Sequence, residues 1–336
     1  MRLDSLVPET RRSATVRLEV HLEAEELART LRSDARSGLG RRPRQLPPKW
    51  FYDERGMELF EEITRLPEYY PTRREREILL RHAGDIARAT RATLLVELGS
   101  GTSDKTRLLL SALRSEGTLR AFAPFDVSEP TLRRAALAIA GEHPGLHIHA
   151  VVGDFERHLG HLPGGSTRLI AFLGGTVGNL EPAARASFLR TLAHQMGPSD
   201  ALLLGTDLVK DIPRLEAAYN DRRGVTAEFN RNVLRVLNRE LGADFVLERF
   251  EHLARYDARQ GWIEMYLRST EAQTVHLPEL PLVVQFGAGE LLRTEISAKF
   301  RPDQVEAELA AAGLRRVAFW TDDGGDFGLS LAMPAV

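Results

Sequence analysis

The chain has 336 residues and a nearly balanced charge, with 45 Lys and Arg against 47 Asp and Glu and a net charge of −2. This balance gives no broad positive field, so we expect no nucleic-acid partner. The lack of cysteine excludes disulfides, thiolate metal sites and cysteine nucleophiles. No apolar run reaches the roughly 20 residues of a membrane span, and residues 1–20 contain no apolar signal core. We therefore expect a cytoplasmic protein with no membrane partner.

The N-terminal part of the chain predicts a tail, helices and an aromatic segment. The first dozen residues are polar and unpatterned, which favours a loose tail. Apolar residues between 18 and 31 predict one helix that ends before Gly38. A basic connector with several prolines follows at 41–48, and an aromatic segment surrounds a predicted helix within 49–72. The pattern of residues 75–89 is that of an amphipathic helix.

From residue 93 onward, apolar runs alternate with helices, which is typical of a parallel sheet covered on both faces. Strands are predicted at 94–98, 121–126, 147–152, 169–173 and 201–206, with helices at 130–139 and 182–195. The pattern returns near the C-terminus as a helix at 302–312 and strands at 316–320 and 327–332. The turn TDDGGD makes the last strand antiparallel to its neighbour. Right-handed crossovers place the ligand crevice of such a sheet at the C-terminal strand ends.

A long insertion separates the fifth and sixth strands of this predicted sheet. The stretch between residues 206 and 316 is far longer than the dozen or so residues that a crossover needs. Its pattern predicts helices and short strands, at 213–219, 225–241, 262–269, 274–277, 282–286 and 291–297. We infer a second domain of α+β character, built from this insertion together with the N-terminal segment.

The first strand of the sheet leads into the motif LLVELGSGTSDK at 94–105, a buried strand, a glycine turn and a helix start. This arrangement brings backbone N–H groups against a nucleotide-like ligand. A dinucleotide fingerprint would need Gly or Ala where Asp104 stands, so that interpretation fails. Asp126 ends the second strand, and Asp154 and Phe155 follow the third. Such acids can hold ribose hydroxyls and an adenine amino group, and the ring can cover the adenine face.

This set is typical of S-adenosylmethionine, although solvated acids beside a glycine turn in an unrelated α/β protein would look similar. The strand order matches the α/β, seven-stranded, doubly wound sheet of class I methyltransferases. Lys105 opens the following helix, where a cation opposes the helix dipole, so we predict that it reaches a carboxylate such as the methionine end of the cofactor. The predicted S-adenosylmethionine-binding domain is 73–208 plus 299–336, and the substrate-binding domain is 1–72 plus 209–298.

With these pieces placed, the sequence resembles the histidine Nα-methyltransferases of ergothioneine biosynthesis, which trimethylate L-histidine to hercynine. The resemblance runs from about residue 46 to 331. Its matching segments are LPPKWFYD (46–53), ITRLPEYYPTR (63–73), LVELGSGTSDKTR (95–107), PFDV (124–127), GDFE (153–156), FLGGTVGNL (172–180), LLLGTDLVKD (202–211), GVTAEFNRNVL (224–234), TEISAKFRP (294–302) and GDFGLSLA (325–332).

The resemblance implies a role for individual side chains. It assigns imidazole recognition to Tyr69, Glu295 and Ser297, carboxylate binding to Asn179 and Tyr219, a place near the amine to Tyr52, and the imidazole pocket wall to Met265. With Tyr52 as the catalytic residue, the full predicted substrate set is Tyr69, Gly174, Asn179, Tyr219, Met265, Glu295, Ile296 and Ser297. The predicted cofactor set is Gly99, Ser100, Lys105, Asp126, Asp154, Phe155 and Thr176.

Some features of the sequence leave alternatives open. Gly175 stands where close relatives are expected to carry serine, so any hydroxyl contact there is lost, with a small expected effect. His143, His147 and His149 have no acid cluster beside them, and we predict structural roles for them and no metal. We expect a monomer acting on L-histidine. The alternatives are a methyltransferase of another small amine or aromatic amino acid, which would favour an apolar residue at 295, and a non-catalytic S-adenosylmethionine-binding regulator.

Overall fold

The structure is a computed structural model that describes residues 15–101, 103–165 and 167–335, so the predicted N-terminal tail lies outside the described residues. Within this part of the chain the helices are α1 (Ala24–Gly40), α2 (Glu54–Thr64), α3 (Pro71–Thr90), α4 (Thr106–Ser115), α5 (Glu129–Glu142), α6 (Pro182–Gln195), α7 (Ile212–Ala218), α8 (Val225–Leu241) and α9 (Pro302–Ala311). The strands are β1 (Val16–Val20), β2 (Arg44–Gln45), β3 (Leu94–Leu98), β4 (Ala121–Asp126), β5 (His147–Val152), β6 (Arg168–Phe172), β7 (Ala201–Asp207), β8 (Phe250–Asp257), β9 (Trp262–Ser269), β10 (Gln273–Leu277), β11 (Leu282–Phe286), β12 (Leu291–Ala298), β13 (Leu314–Thr321) and β14 (Phe327–Pro334).

The larger sheet has the strand order β1-β5-β4-β3-β6-β7-β14-β13. Its first six strands are parallel, and β14 is antiparallel to both β7 and β13. Both faces are buried: Leu95 packs into one hydrophobic core, whereas Leu94, Val96 and Leu98 pack into the other. The seven predicted strands and the antiparallel last strand are therefore confirmed.

Strand β1 is an eighth strand that the sequence did not predict. The prediction of one helix over residues 18–31 is wrong at its start, because α1 begins only at Ala24. Residues 16–20 instead pair in parallel with β5, with Val16 opposite Ile148. The hydrogen bonds that this pairing supplies come from a strand distant in sequence, so local apolar spacing cannot reveal them. β1 thus belongs to the large sheet, although our division placed residues 1–72 with the insertion; the division itself stays a prediction.

The insertion folds around a smaller sheet of order β2-β12-β9-β8 and a hairpin of β10 and β11. Together with α8 and parts of α1 and α2, these strands share one hydrophobic core. Strand β8 was not predicted from the sequence. Its alternation of apolar and polar residues is interrupted at His252, a polar residue whose side chain is nonetheless buried.

The chain crosses between the two sheets just after β7 and just after β12, and these two crossings lie side by side. Leu208 forms a parallel bridge with Phe300. The N–H of Phe300 donates to the carbonyl of Asp207 at 2.8 Å, and the N–H of Val209 donates to the carbonyl of Phe300 at 3.0 Å. The C-terminal end of β7 and the end of β12 are therefore held together. None of the helices in the described ranges is both long and apolar enough to cross a membrane.

Candidate active site

A cavity lies where the C-terminal ends of β6 and β7 face the smaller sheet. Residues from both the predicted cofactor-binding domain and the predicted substrate-binding domain line it. They are Tyr52, Phe60, Ile63, Tyr69, Pro71, Gly174, Gly175, Thr176, Asn179, Asp207, Ala218, Tyr219, Thr226, Phe229, Met265, Glu295 and Ser297. Tyr52 and all of the predicted substrate residues except Ile296 are thus brought together. Residues up to 245 positions apart in sequence, Tyr52 and Ser297, share this one cavity.

Strand β12 presents alternate side chains to the cavity. Glu295 and Ser297 line it, as the two-residue spacing requires on a strand. The intervening Ile296 is turned the other way and is buried in the core beneath the large sheet. Met265 on the neighbouring strand β9 stands directly opposite Glu295 in the register.

Burial governs the ionisation of the groups around this cavity. Loss of water raises the pKa of Glu295 to about 7, although the positive charge of Lys299 opposes this shift. Burial likewise raises the pKa of Tyr52, Tyr69 and Tyr219 well above the usual value of a phenol. The three hydroxyls therefore stay protonated at neutral pH, and Glu295 is the acid that titrates there.

Aromatic rings from the segment around α2 and from α8 form one wall of the cavity. The ring of Tyr52 lies 5.4 Å from that of Phe229 and 5.7 Å from that of Phe60, in both cases edge to face. Tyr69 continues the wall at 6.2 Å from Phe60. The predicted site residues include the two tyrosines but not Phe60 and Phe229. In the sequence these two phenylalanines fit the apolar face of amphipathic helices, which predicts a role in the core.

Asp207, Tyr219 and Ser297, which line the cavity, form a buried polar cluster with Lys299. The hydroxyls of Tyr219 and Ser297 are 2.7 Å apart, and the Lys299 ammonium donates to both. Burial alone would raise the pKa of Asp207, but the ammonium groups of Lys299 and Lys210 outweigh it and hold that pKa below its usual value. The sequence analysis missed Asp207 and Lys299, although both stand inside segments that carry the resemblance.

The glycine turn follows β3, the strand next to β6 in the large sheet. Gly99 and Gly101 have φ values of 66° and 48°, which favour glycine. Asp126 at the end of β4 accepts hydrogen bonds from the N–H groups of Gly101 at 2.9 Å and Ser128 at 3.0 Å. Burial raises the pKa of Asp126. The Ser100 hydroxyl is buried without a hydrogen-bond partner among the described residues. An unpartnered polar atom beside this turn fits a polar ligand such as S-adenosylmethionine.

Asp154 and Phe155 follow β5 at the same edge of the sheet. The Asp154 carboxylate accepts from the N–H of Glu156 at 2.9 Å and lies 3.4 Å from the Lys49 ammonium. The Phe155 ring is half-buried and packs edge to face on Phe172 at 5.2 Å. A carboxylate and a ring face therefore stand together at the strand end, as the adenine hypothesis requires.

Glu75 on α3 connects the glycine turn to the cavity, and the sequence analysis missed it. Its buried carboxylate contacts the Lys105 ammonium and accepts the N–H of Gly174 at 2.8 Å. In this structure Lys105 therefore pairs with a carboxylate of the chain itself. Gly174 and Gly175 have φ values of 77° and 72°, and the Thr176 hydroxyl closes the turn by donating to the carbonyl of Leu173 at 3.0 Å. From the sequence pattern alone, Glu75 is predicted to lie with the other charged residues on the exposed face of a helix.

The predicted structural histidines lie away from this site. His149 bonds Glu19 at 2.7 Å through its Nε2 atom, next to the added strand β1. Among the described residues, no group of three or more histidine, aspartate and glutamate side chains is arranged to hold a metal ion.

A parallel sheet with an antiparallel last strand, a glycine turn with an acid at each of the next two strand ends, and an adjoining cavity together define a class I methyltransferase. The sequence model of the family described as histidine-specific, S-adenosylmethionine-dependent methyltransferases matches residues 31–334. The chain belongs to this family.

Three relatives illustrate the range of the family. The histidine N-alpha-methyltransferase of Mycolicibacterium smegmatis is 57% identical over 319 residues, which cover 95% of this chain and 99% of that protein. The protein of the same name from Mycobacterium tuberculosis is 59% identical over 302 residues, covering 90% of this chain and 94% of that protein. Ergothioneine biosynthesis protein 1 of Neurospora crassa is 33% identical over 297 residues, or 86% of this chain and 33% of that protein.

Proposed function

We propose that the protein is the histidine Nα-methyltransferase that converts L-histidine to hercynine in ergothioneine biosynthesis, with S-adenosylmethionine as the methyl donor. One observation carries the proposal: Glu295 and Ser297 project from one strand into a cavity that is also lined by Asn179, Tyr52 and Tyr69. This set offers a partner to each polar group of histidine. The activity named for the relatives supports the same substrate.

In the proposed complex the imidazole lies between Glu295, Ser297, Tyr69 and Met265. The Glu295 carboxylate accepts a ring N–H, and the side chain of Met265 packs beside the ring. Asn179 and Tyr219 donate to the α-carboxylate, and the Tyr219 hydroxyl lies 2.7 Å from that of Ser297. The two ends of the amino acid are thereby fixed, and this directs the amine toward the Gly174 turn.

The residues at the strand ends fit the methyl donor. We propose that Asp126 holds the ribose hydroxyls, that Asp154 and Phe155 hold and cover the adenine, and that Gly99, Ser100 and Thr176 line the binding site. The Lys105 ammonium would bind the methionine carboxylate, either in place of its contact with Glu75 or in addition to that contact. When bound, S-adenosylmethionine supplies an electrophilic methyl group on a sulfonium centre.

The chain's own residues then have to align the amine and exclude water. The buried phenol of Tyr52 stays protonated, so it orients the amine by hydrogen bonding and is not a strong base. The α-amino group, with a pKa near 8, is partly neutral at cellular pH and needs little help to lose its proton. The rings of Tyr52, Phe60 and Phe229 tolerate the cationic product, since aromatic faces attract cations by about 0.5 to 2 kcal/mol.

We further propose that the protein acts as a cytoplasmic monomer without a metal and without nucleic-acid or membrane partners. The division into a cofactor unit (73–208 plus 299–336) and a substrate unit (1–72 plus 209–298) belongs to the same proposal. The crossing of the chain at Leu208 and Phe300 supports the inner boundaries of this division.

The experiment that tests the function is incubation of the full chain with L-histidine and S-adenosylmethionine, followed by mass spectrometry. Accumulation of hercynine supports the proposal. Parallel reactions with tryptophan and phenylalanine test the alternative of another aromatic amino acid, which a faster reaction with either would favour. Binding of S-adenosylmethionine without methylation of any of these amino acids would favour a regulator.

A further inference from the structure

Lys299 follows the substrate strand β12 and reaches the back of the cavity. Its side chain is 0% exposed. Its nitrogen lies 2.9 Å from the Tyr219 hydroxyl, 2.8 Å from the Ser297 hydroxyl and 2.9 Å from Oδ2 of Asp207. An ammonium group has three N–H donors and no acceptor, so each of these three oxygens accepts a hydrogen bond from it.

This arrangement limits what the two hydroxyls can do. Tyr219 and Ser297 have one hydroxyl hydrogen each, and one of the two is used in the 2.7 Å bond between them. Since Lys299 takes no hydrogen from either oxygen, the second hydroxyl hydrogen remains available. Within the described part of the chain no acceptor holds it, so it is left for a molecule in the cavity. The pair therefore offers the cavity one O–H donor.

Two arrangements of hydrogens satisfy this count. In the first, Tyr219 donates to Ser297, and Ser297 donates to an unprotonated imidazole nitrogen while Glu295 accepts the ring N–H. In the second, Ser297 donates to Tyr219, and Tyr219 donates to the α-carboxylate. Both arrangements keep the Lys299 ammonium on one lone pair of each oxygen, and both match a group of the proposed substrate.

We propose that Lys299 is a positioning residue for amino-acid binding: by donating to Tyr219 and Ser297 it makes their hydroxyl pair a hydrogen-bond donor to the substrate. This inference rests on the proposed function, which supplies the substrate. It adds a residue that does not line the cavity and acts through two residues that do.

The other ammonium on the same carboxylate offers a matched control. Lys210 lies 2.5 Å from Oδ1 of Asp207, and its remaining hydrogen bonds go to the Tyr70 hydroxyl at 2.8 Å and the carbonyl of Leu208 at 2.5 Å. Its side chain is 7% exposed, so the loss of either lysine removes a buried charge beside Asp207. Only Lys299 bonds the two cavity hydroxyls.

The test compares Lys299→Met with Lys210→Met in steady-state kinetics of the full chain. Loss of hydrogen bonds to a charged group predicts that Lys299→Met raises the KM for histidine by about tenfold or more, with kcat reduced less than about threefold. The KM for S-adenosylmethionine should not change. Lys210→Met should leave the KM for histidine within about twofold of wild type.

A double-mutant cycle separates positioning from general loss of structure. In a Tyr219→Phe, Ser297→Ala background, Lys299→Met should add little further loss of histidine affinity, because the groups it positions are already absent. If Lys299→Met and the double substitution cause losses of histidine affinity that multiply, the proposal is overturned. An unchanged KM for histidine in Lys299→Met, or an equal rise of this KM in Lys210→Met, would also overturn it. If Lys299→Met does not fold, Lys299→Met with Asp207→Asn and Lys210→Met removes all three buried charges, and its KM for histidine is compared with that of the Asp207→Asn, Lys210→Met variant.

Calorimetry keeps this test distinct from that of the proposed function. Wild-type protein that binds histidine without forming hercynine overturns the proposed function alone, and the affinities of the variants for histidine then decide the role of Lys299. Wild-type protein that binds no histidine overturns both.

Discussion

Glu295 is a carboxyl group in a cavity walled by aromatic rings, and in the proposed complex it is the residue that distinguishes an imidazole from a plain hydrocarbon ring. We predict that Glu295→Ala lowers the preference for histidine over phenylalanine by roughly tenfold to a hundredfold, because a hydrogen bond to a charged group contributes about 1.5 to 3 kcal/mol. A competition assay with an equimolar amino-acid mixture measures this preference.

The control for this substitution is Glu264→Ala. Glu264 is a buried acid on the neighbouring strand, opposite Ile296 in the register, and its carboxylate bonds Arg255 and Tyr266. Removing it deletes a buried carboxylate without changing the cavity lining. An unchanged amino-acid preference in Glu295→Ala would show that the imidazole assignment is wrong.

Tyr52 lies against Phe60 and Phe229 with its hydroxyl protonated by burial. We predict that Tyr52→Phe slows methyl transfer by about tenfold, since one orienting hydrogen bond is lost, and weakens histidine binding by less than about threefold. Single-turnover rates beside isothermal titration separate the two effects. Equal losses in rate and affinity would contradict the orienting role.

At the residue scale, the sequence could place groups that share an element but not groups that meet across the fold. The spacing of Glu295 and Ser297 predicts a shared face, and the structure has both in the cavity. Glu75 and Lys299 gave no such signal. Glu75 stands in a charged stretch of the sequence, and Lys299 stands between two apolar residues. Only packing against Gly174 in the first case and Tyr219 in the second reveals the partner of each.

Helix α8 supplies Phe229 to the cavity wall, and Asp221 fixes the start of this helix. The Asp221 carboxylate accepts the N–H of Thr226 at 2.7 Å and that of Val225 at 3.1 Å. We predict that Asp221→Ala lowers the free energy of unfolding by about 1 kcal/mol, as measured by urea denaturation, because these N–H groups lose their acceptor.

Asp211 at the start of α7 is the control for this cap. It occupies the N-cap position, is exposed, and makes no side-chain capping bond. Asp211→Ala should change the unfolding free energy by less than about 0.5 kcal/mol. A loss in Asp211→Ala as large as that in Asp221→Ala would contradict the capping argument.

At the element scale, the sequence predicted best where the pattern is local. The strand at 94–98 and the helices at 182–195 and 225–241 have the predicted bounds, because their apolar patterns and N-terminal prolines or glycines are strong local signals. Strands β1 and β8 were missed because both are partly polar and depend on partners far away in the chain. A strand that depends on such distant partners has only a weak pattern in its own sequence.

The whole molecule carries buried titrating groups, and they give its stability a pH dependence. Burial raises the pKa of Glu295 and of Glu97 to about 7, against a usual 4.5. Their contribution to stability is full below pH 4.5 and is lost as pH rises through 7. Burial lowers the pKa of His252, so its contribution is present above pH 6.5 and is lost as pH falls below that value.

Between pH 6.5 and 8 the titration of Glu295 and Glu97 therefore dominates the pH dependence of stability. We predict that the ligand-free protein loses roughly 1 to 2 kcal/mol of stability over this range, a fall of about 1 to 3 °C in Tm. Differential scanning calorimetry at the two pH values measures it, and Glu295→Gln should remove about half of the fall. A Tm that rises from pH 6.5 to 8 would contradict the assignment of these carboxyls as protonated in the folded state.

On the scale of the whole molecule, the glycine turn at 94–105 predicted the cofactor half of the site, and the resemblance predicted the substrate half. The parallel, doubly wound sheet could be predicted from the alternation, since each crossover is right-handed. The meeting of β7 and β12 at Leu208 and Phe300 could not, because it depends on how the insertion returns to the large sheet. That meeting places Asp207 beside Lys299.

We propose that this cavity directs all three methyl groups to the α-nitrogen of histidine. Tandem mass spectrometry of the product formed with a trideuteromethyl-labelled donor locates these groups. We expect three labelled methyl groups, all on the α-nitrogen, with three equivalents of S-adenosylhomocysteine released for each histidine consumed. Label on the imidazole ring, or product that stops at a single methyl group with donor in excess, would contradict it.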